Sequence, residues 1–109
     1  MKDDKLYLIH ISECIERIES YVSGTDKEAF MASSLVQDAV VRNLQVMAES
    51  TQRLSHNLKE SHPEIDWYKI AGFRNVLVHD YLGVDMARVW NIIEKEIPVL
   101  KRSTRKILD

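Results

Sequence analysis

Apolar residues recur at three- and four-residue steps through most of the chain, the pattern of helices that bury one face. Leu8, Ile11, Ile15, Ile18 and Val22 form such a stripe between Asp4 and about Val22. Asp3 or Asp4 is placed to cap that helix, and Gly24 to end it in the left-handed conformation. Thr25-Asp26-Lys27-Glu28 offers a second helical start, with Phe30 and Met31 as its first apolar contacts and Ser33-Ser34 as an interruption. From Leu35 to roughly Leu58 the pattern predicts the longest helix, because Leu35, Val36, Ala39, Val40, Leu44, Met47 and Leu54 fill more than one stripe. A helix apolar on two sides belongs in the middle of a bundle, or faces both its own core and a second subunit. Arg42 and Asn43, polar groups inside that belt, then need partners.

Pro63 ends this pattern, and Pro63-Glu64-Ile65-Asp66 reads as a turn whose Asp66 caps a helix from Trp67 to about His79. Trp67, Ile70, Phe73 and Leu77 point inward on it. Asp85 caps the last helix, which buries Met86, Val89, Ile93, Ile97 and Leu100 and bends at Pro98, where one backbone hydrogen bond is lost. Only 3 Gly and 2 Pro interrupt 109 residues, which favours a few long helices over many short strands. The expectation is an all-α protein with one domain, 1–109, since a chain of this length supports a single core.

Composition adds limits. An apolar share of 45% and a charged share of 29% argue against disorder. The single Cys14 lies among helical apolar positions and reads as a buried thiol in a reducing compartment. No apolar run reaches membrane-spanning length and the N-terminus lacks a long apolar segment, so the expected location is cytoplasmic, with no membrane partner. A net charge of −2 counts against a general nucleic-acid binder. It leaves room for an enzyme with a local positive site. The tail Lys101-Arg102-Ser103-Thr104-Arg105-Lys106 is read either as favourable charge at a helix C-terminus or as a guide for RNA backbone.

The densest chemistry lies in Phe73-Arg74-Asn75-Val76-Leu77-Val78-His79-Asp80-Tyr81. Arginine offers a fixed fork of donors suited to phosphate oxygens, and histidine exchanges a proton near neutral pH. A structural reading competes: Arg74 pairs with Asp80 or another carboxylate, and His79 only sits near a helix C-terminus. On a continuous helix Tyr81 falls near the face of Arg74, whereas His79 lies about 500° further on, pointing away. Either the helix loosens before Tyr81, or His79 meets the arginine of another subunit; both favour a composite site. His56, Glu60 and His62 invite a metal, but no third ligand has the spacing of a zinc pattern. No metal and no cofactor are expected.

The spacing Arg-x4-His-x-Tyr resembles the HepT toxins of the HEPN superfamily. Collinear text extends the likeness over nearly the whole chain: Gln37-Asp38-Ala39-Val40-Val41-Arg42-Asn43-Leu44, Ser61-His62-Pro63-Glu64-Ile65-Asp66-Trp67, Lys69-Ile70-Ala71-Gly72-Phe73, then Gly83-Val84-Asp85 and Val89-Trp90. The chain departs from the family text at Ala48-Glu49-Ser50-Thr51, where Gly-Glu-Ala-Ala is usual, and at Asp80, where glycine is usual. The resemblance implies an antiparallel bundle of four to five helices, homodimeric, with the Arg and His of both subunits in a cleft. It also implies metal-independent RNA cleavage by the toxin of a toxin-antitoxin pair. The implied partner is an MntA-type nucleotidyltransferase antitoxin that adenylylates Tyr81, as di- or oligo-AMP.

On this reading His79 is the general base or acid, Arg74 the clamp on phosphate oxygens, and Asn75 and Asp80 orient these groups or bond the ribose. The alternatives are a non-catalytic nucleotide- or substrate-binding subunit that presents Tyr81 to a nucleotidyltransferase, and a purely structural helical dimer.

Overall fold

The computed structural model describes residues 2–78 and 85–109, and for Lys2 and residues 75–78 the backbone alone. Every regular element among them is helical: α1 (Lys2–Val22), α2 (Lys27–Ala32), α3 (Ser34–Gln52), α4 (His56–Ser61), α5 (Trp67–Val78), α6 (Met86–Asn91) and α7 (Ile97–Leu108). A π-helical turn (Ile92–Glu96) joins α6 to α7, so the last three segments run on as one rod. Four long helical stretches therefore carry the bundle, and the six-residue α2 and α4 link them. This is the all-α class the sequence predicted.

Local signals end most helices where expected. Gly24 adopts φ +72° and closes α1. The carboxylate of Asp26 accepts the Ala29 amide proton at 2.8 Å, Asp66 that of Lys69 at 2.9 Å and Asp85 that of Arg88 at 3.2 Å. Ser33 breaks the chain between α2 and α3 and caps α3 through the Val36 amide at 3.2 Å. Each cap satisfies one amide that a helix start leaves without an intrahelical acceptor.

The predicted long helix to Leu58 is divided instead, with α3 ending at Gln52 and α4 starting at His56. At 19 residues α3 is shorter than the 21-residue α1. The cause is Asp4. Rather than capping α1, its buried carboxylate accepts the Ser55 amide at 2.7 Å and the Ser55 hydroxyl at 2.6 Å. Ser55 in turn caps α4 by accepting from the Leu58 amide. A contact between residues 51 apart thus ends one helix and starts the next, and places the start of α1 beside the end of an antiparallel α3.

The core runs through Leu8, Ile11, Ile15 and Ile18 of α1, Val40, Leu44 and Met47 of α3, Ile70 and Phe73 of α5, and Val89, Ile93, Ile97 and Leu100 of the last rod. Phe30 delivers the whole interior contribution of α2, fully buried with its ring 5.2 Å from that of Trp90. Met31, expected to pack with it, is 44% exposed because the next helical position turns about 100° away from the core. Leu35 is 80% exposed and Arg42 is exposed too, so the apolar belt on α3 is narrower than its sequence suggests. Asn43 is buried and donates to the Ala39 carbonyl at 2.9 Å, which supplies the partner it needs.

Pro98 acts through the π turn ahead of it. The Ile97 amide bonds the Ile92 carbonyl, one residue further back than in an α-helix, so the ladder shifts where the proline has no proton to give. Trp90 and Ile92 are also buried, beside the predicted stripe. Cys14 is 1% exposed, and burial raises its thiol pKa. Among the described residues no helix is long and apolar enough to cross a membrane.

Candidate functional site

Arg74 stands on α5 one position after the buried Phe73, which anchors the helix to the core. A helical step of about 100° from that anchor turns its side chain outward. It is exposed, and α5 packs against α3. Where the two helices meet, Glu49, Gln52 and Arg53 of the α3 end join Arg74 around an open depression of about 520 Å³. Residues 49, 52 and 53 stand at i, i+3 and i+4, which puts them on one helical face.

Two guanidiniums and one carboxylate thus border the same space. Among the described residues no ion pair within 4 Å joins Glu49 to either arginine, and none links Arg74 to another carboxylate. Glu49 and Arg53, four residues apart, therefore form no ion pair with each other. Arg53 is the C-cap just after α3, its own amide bonded to the Ser50 carbonyl at 3.1 Å. The clamp of Asp4 on Ser55 holds that end in place two residues later.

The backbone of Asn75 continues α5, while its side chain lies outside the described residues. His79, Asp80 and Tyr81 also lie outside them. Of the predicted site, then, the structure places Arg74 alone. Arg53 and Gln52 belong to no motif in the sequence and come to the site only through the fold. The i, i+4 spacing of Glu49 and Arg53 was visible, but the facing helix that makes a site of them is a tertiary contact.

The other candidates resolve into ordinary surface chemistry. His56 pairs with Glu60 at 2.8 Å, and His62 with Glu64 at 3.1 Å. Among the described residues no three His, Cys, Asp or Glu side chains gather as metal ligands would. In the basic tail, Lys101 bonds both oxygens of Glu19 at 2.8 and 3.1 Å, tying α7 to α1. Arg105 and Lys106 occupy the last turn of α7, where positive charge suits the helix C-terminus. Lys69 pairs with Glu96 at 2.6 Å, and that contact raises the lysine pKa.

Comparison with known proteins gives this surface its context. The family described as "Ribonuclease HepT-like" matches residues 11–107. A Methanocaldococcus jannaschii protein named "Gamma-glutamylcyclotransferase and putative RNase" is 37% identical over 108 residues. That alignment takes in 99% of this chain but 49% of the relative, so the chain spans about half that protein's length. A "Putative RNase" of Caldanaerobacter subterraneus subsp. tengcongensis is 35% identical, covering 99% of this chain and 96% of its own. The "Probable ribonuclease HepT" of Thermococcus cleftensis is 35% identical over 97% of this chain and 96% of its own. No solved structure matches. With an all-helical fold, an outward Arg74 and a family match across most of its length, the chain belongs to the HepT-like ribonuclease family.

Proposed function

We propose that this chain is a metal-independent endoribonuclease, the toxin of a toxin-antitoxin pair, that works as a homodimer through Arg74 and His79. The observation that carries the reading is the exposed Arg74 guanidinium beside an open depression, without a carboxylate partner among the described residues.

RNA brings its own nucleophile. The imidazole of His79 takes the proton from the ribose 2′-hydroxyl as that oxygen bonds to phosphorus. Arg74 binds the non-bridging oxygens, on which negative charge grows. The bond from phosphorus to the 5′-oxygen breaks, and that oxygen takes a proton from imidazolium, leaving a cyclic phosphate and a free hydroxyl. In a two-fold cleft the imidazoles of the two copies divide the roles of base and acid. Asn75 and Asp80 orient these groups. Tyr81 is the site that an MntA-type nucleotidyltransferase antitoxin adenylylates, and an anionic nucleotide there excludes RNA by repulsion and bulk.

Purified protein in chelator is expected to cut single-stranded RNA to cyclic-phosphate ends, and Arg74→Ala or His79→Ala to lower the rate about 100- to 1000-fold. Equal cutting by both variants and the parent overturns the mechanism. Binding of a nucleotidyltransferase without any RNA cleavage by the parent replaces it with the non-catalytic subunit reading. Incubation with that partner and ATP is expected to add adenylate mass to the peptide containing Tyr81, and to no peptide when Tyr81→Phe is used.

A further inference from the structure

We propose that Arg53 binds a second backbone phosphate of the RNA strand whose scissile phosphate Arg74 clamps, an inference that rests on the ribonuclease reading above. Both arginines are exposed and border one depression, Arg53 from the end of α3 and Arg74 from α5. Its volume of about 520 Å³ falls within the range of sites that hold a small ligand. No ion pair within 4 Å neutralises either guanidinium among the described residues. Two like charges facing the same space repel each other, and an anion between them relieves that repulsion. A strand with a negative charge at every link supplies such anions at regular intervals.

The remaining two residues of the depression narrow the choice. Gln52 offers both a donor and an acceptor, the pair a ribose hydroxyl needs. Glu49 repels phosphate from its own side and so confines the backbone to the arginines. The chain carries net charge −2, so this positive spot is local and not one part of a generally basic surface. The competing account is that Arg53 only places favourable charge at the C-terminus of α3. In that case it alters stability and leaves RNA contacts alone.

The test uses the full chain with His79→Ala to stop turnover, and measures binding of a fluorescent single-stranded RNA between 50 and 300 mM salt. Each phosphate neutralised on a single strand contributes about 0.7 to the magnitude of the slope of log K against log salt. Arg53→Gln is expected to lower that magnitude by about 0.7, and Arg53→Lys to keep it. Arg17→Gln, an exposed arginine on α1 that borders a different depression, is expected to leave it unchanged. An Arg53→Gln slope equal to the parent's overturns the inference, as does an equal loss in Arg17→Gln. Circular dichroism on each variant separates these results from misfolding, since only folded protein is titrated. A parent that binds no RNA refutes the ribonuclease reading and this inference together; RNA binding and cleavage with an unaltered Arg53→Gln slope refute the inference alone.

Discussion

Asp4→Ala is expected to destabilise the fold by about 3 kcal/mol, a large share of the 5–15 kcal/mol typical of a domain. One buried carboxylate accepts two short hydrogen bonds, 2.7 Å from the Ser55 amide and 2.6 Å from its hydroxyl. A hydrogen bond to a charged group contributes about 1.5–3 kcal/mol, and two that share one carboxylate do not sum fully. Removing the acid also frees the Ser55 hydroxyl, whose oxygen caps α4 through the Leu58 amide. The Ser55 hydroxyl holds the Asp4 carboxyl below the ordinary aspartate value, against the opposing effect of burial, with the Ser55 amide adding to the drop. Because the folded pKa is the depressed one, this stabilisation is complete above the unfolded value of about 3.9 and is lost as pH falls through the folded pKa. Urea unfolding followed by far-UV circular dichroism, at fixed protein concentration, provides the measurement. The gap between parent and Asp4→Ala is expected to be constant from pH 7 to 5 and to narrow as pH falls below about 4. A gap under about 0.5 kcal/mol at pH 7, the range of ordinary surface substitutions, would refute the reasoning. So would a gap that persists unchanged to pH 2. The variant also reports on the site, since the same clamp holds the α3 end that carries Gln52 and Arg53.

Three further substitutions or treatments probe the frame. Phe30→Ala should cost about 3–5 kcal/mol by emptying the space beside Trp90, and a loss under 1 kcal/mol in the same urea experiment would show that α2 does not anchor as described. Asp26→Ala should cost about 1 kcal/mol by removing the α2 cap, whereas an unchanged midpoint would mean that water replaces it without loss. Cys14 should resist a thiol reagent at pH 8 in native protein and react at once in urea, because its thiol is buried with a raised pKa; rapid labelling of the native form would contradict its placement.

How far the sequence could be read depended on the distance over which each signal acts. Caps at Asp26, Asp66 and Asp85 and the stop at Gly24 were legible because donor and acceptor lie within a few residues. The stripe of α1 was legible because every member faces the same core. The break between α3 and α4 was hidden, for nothing in Arg53-Leu54-Ser55 reveals that Asp4 will reach it from 51 residues away. Leu35 and Met31 are exposed although apolar, since apolar character does not dictate burial and apolar atoms make up much of any protein surface. The π turn is a change of hydrogen-bond register that Pro98 suggests without locating.

By itself the sequence determined the helical class, most helix ends, the buried thiol and the family motif that contains Arg74. Those features follow from short-range periodicity, local hydrogen bonding and residue chemistry, all of which are written within one or two turns of chain. Only the tertiary structure decided that Asp4 divides α3 from α4, and that Arg53 comes to the same depression as Arg74. Both depend on side chains from separate helices meeting across the packed bundle, and such meetings are set by how whole faces dock.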